Sequence, residues 1–168
     1  MFYRTDRSIA RLRAQSEEMR QIALSPGERL RNARTTVSGW CPAEHVDHCA
    51  KVALAMLGQL LEPVPIEGIK PISLLGHAVL LTGYIPRGKA KSPKRVRPVL
   101  ASVDELIAGI DALDDSINRV AVPEWQCPDG PCVPHPYFGG LTGIQTLHFI
   151  GVHTNHHLKI VRDIERAG

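Results

Sequence analysis

No stretch of this sequence is apolar for long enough to cross a bilayer. The longest, Leu74 to Ile85, carries His77 and is well short of the roughly 18 residues that a spanning helix requires. A secretory leader is not expected either. Met1-Phe2-Tyr3-Arg4-Thr5-Asp6-Arg7 puts charge where the apolar core of a leader would sit, and no small-residue cleavage site follows, so the expected compartment is the cytoplasm. Cysteine is sparse, with four in 168 residues. A chain of this length buries most of its apolar surface without covalent staples, and a reducing compartment favours free thiols at Cys127 and Cys132, with Cys41 and Cys49 structural. Acidic residues are missing from one place. Arg87, Lys89, Lys91, Lys94, Arg95 and Arg97 fall within eleven residues that contain no Asp or Glu, whereas the whole chain carries only +3. The rest of the molecule is therefore mildly acidic, and global charge is no argument for nucleic acid.

What is present suits one globular domain spanning 1–168: 43% hydrophobic and 22% charged residues, with no internal repeat and no low-complexity tract. Helix start signals recur along it. Ser102 and Glu105 form a potential capping box ahead of Leu106, Ile110, Leu113, Ile117 and Val120, which step by four, three, four and three, with Pro123 just beyond the end. Thr142 and Gln145 make a second box before a segment from about Gly143 to Arg166. Pro42 suits the first turn of a helix reaching about Leu61, stopped by Pro63 and Pro65. Ile9, Leu12, Met19 and Ile22 share one face between Asp6 and Ala23, and Ser25-Pro26-Gly27-Glu28 starts a short helix. Between Glu62 and Val99 lie six prolines and the basic run, with a short helix between Ile72 and Tyr84; Val122 to Gly140 holds five more prolines. No period-two strand with a hairpin partner is evident. The expectation is an all-α, four-helix bundle with two long proline-rich connections.

Eight histidines are many for this length, and six fall in two groups: His45 and His48, then His148, His153, His156 and His157. Histidine is the commonest metal ligand and titrates near neutrality. At about 100° per residue, His153 and His157 fall within the apolar stripe of the last helix, while His148 and His156 lie on its polar side. Two histidines one turn apart in a core stripe, with no matching acid, need a buried partner, and a divalent metal is an economical one. The Pro42 helix offers His45 and His48 as further ligands. Its apolar face leans toward His45, but the spacing leaves the choice open.

Trp40-Cys41-Pro42-Ala43-Glu44-His45-Val46-Asp47-His48-Cys49-Ala50 resembles the Trp-x7-His segment of the DinB/YfiT-like superfamily, and His153-Thr154-Asn155-His156-His157-Leu158-Lys159-Ile160 resembles its His-x3-His signature. His135-Pro136-Tyr137-Phe138-Gly139-Gly140-Leu141-Thr142 is similar to one subgroup of that family. The resemblance implies metal ligands at His48, His153 and His157, a four-helix bundle that is often a homodimer, and relatives that include metal-dependent transferases and isomerases using a low-molecular-weight thiol. Leu158-Lys159-Ile160 departs from the Arg-Gly-Gln-like run of many relatives.

Three neutral imidazoles on one ion leave a coordination position for water or substrate. Zinc is the first expectation and nickel the second, since imidazole suits both. Glu44, one turn before His48, is positioned to orient a ligand or relay a proton. By analogy the protein would be a metal-dependent thiol S-transferase, or a hydrolase-like enzyme, acting on a small molecule; the alternative is a non-catalytic, metal-stabilised stress-response or binding protein. A di-iron bundle does not fit, because it needs two Glu-x-x-His pairs and none occurs. Cys127, Cys132 and His135 lack a fourth ligand for a zinc quartet. The basic run from Arg87 to Arg97 reads first as a solvated loop, with the option of guiding an anionic substrate. Tyr137 and Phe138 are expected to pack at the bundle end, and Phe149 and Val152, off the main apolar arc, suggest a self-association surface.

Overall fold

The computed structural model describes residues 4–32, 36–63, 68–88 and 91–167. Residues 1–3, Pro65 and Lys89, considered above, lie outside them. Four long helices dominate: α1 (Thr5–Ala23), α3 (Pro42–Leu61), α5 (Val103–Ala121) and α6 (Gly143–Arg166). Each of α1 and α3 packs against both α5 and α6, so the helices close a ring around one core. Among the described residues the fold is all-α apart from one small hairpin.

Local chemistry sets the ends of these helices. The Ser102 backbone N–H donates to Glu105 Oε2 at 2.7 Å while Glu105 N–H donates to Ser102 Oγ at 3.2 Å. Thr142 and Gln145 exchange the same pair of bonds at 3.0 and 3.3 Å. Each box satisfies two donors that the first turn leaves orphaned. Beyond the cap of α5, the stripe Leu106, Ile110, Leu113, Ile117 and Val120 is buried throughout, each side chain contributing roughly 1.5–3 kcal/mol of transfer free energy. Short helix α2 (Gly27–Arg31) follows Pro26, and α4 (Leu74–Thr82) ends on Gly83 at φ 63°, a left-handed cap that suits glycine.

Four expectations need correcting. The proline-rich stretch before α6 contains an antiparallel hairpin, β1 (Val133–His135) with β2 (Gly139–Leu141), in which Val133 pairs with Leu141 and His135 with Gly139. Three-residue strands are too short for period-two alternation to show in the sequence. Phe149 and Val152 do not form a self-association surface, since they are only 3% and 1% exposed. Phe149 meets Phe138 at 5.4 Å and His135 at 4.8 Å between ring centroids, so the hairpin covers that flank of α6. On the neighbouring turn Gln15 Nε2 of α1 donates to Gly151 O at 2.9 Å. Phe138 is buried against His135 and Phe149, while Tyr137, also expected to pack, is 48% exposed. The basic run is also more than a solvated loop: its short 3-10 turn, Lys94–Val96, packs on α3. No helix among the described residues is long and apolar enough to cross a membrane.

Candidate metal centre

The ring of helices brings one turn of α3 against one turn of α6. There, candidate ligand nitrogens of His48, His153 and His157 all lie within 4.8 Å of one another. His48 faces His153 and His157 with ring centroids 5.1 and 4.8 Å apart, and the two α6 rings are 4.6 Å from each other. His45, which the apolar face of α3 favoured, is as deeply buried as His48 but sits behind the group. Among the described residues Cys127, Cys132 and His135 form no such cluster with a fourth ligand, and all four cysteines are free thiols.

Hydrogen bonds orient two of the three rings from behind. His48 Nδ1–H donates to the carbonyl of Val96 at 2.6 Å, which leaves Nε2 as that ring's lone pair. His157 Nδ1 lies 2.9 Å from His45 Nδ1, and His45 Nε2 lies 3.0 Å from Ser38 Oγ, which also accepts from the Trp40 backbone N–H at 3.1 Å. Burial, reinforced by the nearby His48, His156 and Arg87, holds the pKa of His45 down to about 3, so its ring is neutral. A neutral ring accepts at one nitrogen and donates at the other. His157 Nδ1–H donating to His45, and His45 Nε2–H donating to Ser38, is therefore a self-consistent chain that frees His157 Nε2. Trp40 lies against this chain, stacked on His157 at 5.9 Å and 17° and tilted on His48 at 5.1 Å.

Electrostatics favour the ligand state of all three histidines. Burial pushes the pKa values of His153 and His157 well below the ordinary value, with neighbouring histidines adding to it, and burial also lowers His48. Neutral imidazole is the form that binds a cation. The fit has a further mark: the buried Nδ1 of His153 has no hydrogen-bond partner. Such an orphan costs about 1–3 kcal/mol, and a cation beside that ring offers compensation that the protein does not.

The group opens onto a cleft of about 470 Å³. Trp40, Val52, Met56, Phe149 and Ile160 give it apolar walls, His135 and Phe138 of the hairpin close one side, and Arg87, Lys91 and Arg95 line another part. His135 stacks on Phe138 at 4.1 Å and 11°. His156, expected on the polar side of α6, lines the same cleft, edge-on to His157 at 5.0 Å. Glu44 is engaged elsewhere. Its Oε2 accepts from the Cys41 backbone N–H at 2.9 Å, a cap on the first turn of α3. The sequence carried no signal for Ser38, Val96 or the supporting role of His45, since these act through contacts up to 112 residues apart.

Comparison with protein families agrees with this architecture. The profile of the DinB superfamily matches residues 5–161, and the chain belongs to that superfamily. Searches of curated proteins and of solved structures give no match.

Proposed function

We propose that the protein is a metal-dependent enzyme that joins a low-molecular-weight thiol to a small electrophile, with His48, His153 and His157 holding the metal. The observation that carries this reading is the opening of a three-imidazole cluster onto a 470 Å³ cleft with apolar walls. A closed structural site would engage four protein ligands and would need no such space. The cleft lies within the range of small-molecule sites, about 300–1,000 Å³.

A divalent cation in this group, zinc or nickel, would act as a Lewis acid that lowers the pKa of a thiol or water beside it. The protein's own residues do the rest. His48 is aimed by the Val96 carbonyl, and His157 by His45 and Ser38. Trp40, Phe149 and the hairpin wall would shield substrates in the cleft from water. Low dielectric there strengthens every electrostatic contact made in the transition state. In the reaction the thiol gives up its proton and its sulfur bonds to the electrophilic carbon, while the bond broken at that carbon surrenders its electron pair: an aryl halide loses halide, and an epoxide opens with its oxygen taking the C–O pair and a proton.

The test combines metal analysis of purified protein with titration of zinc and nickel and a screen of thiols against an aryl halide and an epoxide. Loss of conjugation in His157→Ala, with helical content intact by circular dichroism, is the expected result. Metal-replete protein that conjugates none of the thiols would favour the non-catalytic, metal-stabilised alternative.

A further inference from the structure

Away from the histidines, the cleft has a second chemical character. Arg87, Lys91 and Arg95 line it, and no aspartate or glutamate does so among the described residues. A cavity whose charged lining has one sign focuses that field between low-dielectric walls.

The loop that carries these cations is tied down at its backbone. Val96 O accepts from His48 at 2.6 Å, Val99 N–H donates to Asp47 Oδ2 at 2.8 Å, and the Tyr137 hydroxyl donates to Lys91 O at 3.2 Å. Arg97 Nε closes the loop on Ser92 O at 3.3 Å. Within this frame Arg87 is balanced by Asp163 at 2.6 Å. Lys91 and Arg95 have no carboxylate within ion-pair distance among the described residues. Two exposed cations carried to the rim of a cleft by an anchored backbone, without a counter-charge, are a recognition element for an anion.

We propose that the cleft takes a small amphipathic anion, with its charged group on Lys91 and Arg95 and its apolar body along Val52, Met56 and Ile160 toward the histidine cluster. This names the substrate class of the reaction above and rests on that reading for which site the anion serves. Neutral aliphatic and aromatic compounds would fill the same walls but leave the two cations solvated. Cationic ones would be repelled.

The experiment uses full-length protein stripped with chelator, titrated calorimetrically with phenylbutyrate and with its neutral isostere phenylbutanamide. Phenylbutyrate is expected to bind about tenfold more tightly at low ionic strength, with the preference shrinking as salt is raised. Lys91→Gln combined with Arg95→Gln should abolish the preference, retain the affinity for the amide, and leave metal affinity by chelator competition unchanged. Equal affinities in the wild type, no measurable binding of either compound, or a preference that survives in the double variant would overturn the proposal. Failure of the metal reading would look different: the wild type would bind no zinc or nickel, yet the anion preference would persist.

Discussion

The Nδ1 atoms of His45 and His157 lie 2.9 Å apart, so a histidine outside the candidate ligand set holds the ring of one inside it. As the acceptor in this contact His45 is neutral, and burial makes it so. Partners of this kind fix the tautomer and angle of a ligand, and their loss typically lowers metal affinity roughly 10–100-fold. His45→Phe, which keeps a ring beside Trp40 but cannot accept a hydrogen bond, is expected to weaken zinc binding by that order. His45→Gln, whose amide can both accept and donate, should recover part of it. Chelator-competition titrations of the two variants decide the matter; equal losses would mean that the ring serves packing alone.

Glu44 provides a contrast on the same helix. Its carboxylate caps Cys41 N–H, so Glu44→Ala should cost about 1 kcal/mol of stability and leave metal affinity and the pH profile of conjugation where they were. Urea denaturation alongside metal titration checks both halves. A large fall in conjugation rate in Glu44→Gln, with stability preserved, would instead support the proton-relay role that its position before His48 suggested.

Much of the frame was legible in the sequence. The Leu106 to Val120 stripe, both capping boxes and the shared inward phase of His153 and His157 follow from a 3.6-residue period and local hydrogen bonding, which short windows contain. The illegible part was set by contacts between distant segments. Phe149 and Val152 looked spare because a wheel registers only the helix's own stripe, while the hairpin and α1 cover the flank in three dimensions. The apolar face of α3 could not separate His45 from His48, because both are buried there and only the position of α6 decides which joins the cluster.

The same buried histidines set the acid response of the metal-free protein. Burial holds His45 at about 3 and His135 at about 4, and keeps His153 and His157 well below the ordinary value. Above about pH 6.5 the folded and unfolded chains both carry neutral rings, and these groups leave stability unchanged. Below it the unfolded chain takes up protons that the folded chain refuses. Stability is therefore expected to fall from about pH 6.5 downward, continuing until the folded rings themselves protonate. Urea unfolding of chelator-treated protein across that range measures it, and a flat profile between neutrality and pH 5 would contradict the burial of these rings. With metal bound the fall should be steeper, since protons and cation compete for the same nitrogens.

A substitution at Gly139 is expected to disturb the wall of the cleft and spare its metal end. Its φ of 82° lies in the left-handed region, and a Cβ there would meet the carbonyl oxygen of Pro71 at 2.5 Å. Both penalties fall on backbone that cannot step aside, because Ser73 N–H donates to Phe138 O at 2.6 Å and Gly140 N–H to Lys70 O at 2.8 Å. The conformational cost alone is about 1–3 kcal/mol, so Gly139→Ala should lower the denaturation midpoint and displace the hairpin. His135 and Phe138 would move with it, loosening the side of the cleft that packs on Phe149. His48, His153 and His157 stand on α3 and α6 and should keep their places. The expected signature is weakened phenylbutyrate binding with near-normal zinc affinity, measured on the same preparation by calorimetry and chelator competition. A parallel loss of both would show that the hairpin holds the histidines as well as the cleft wall.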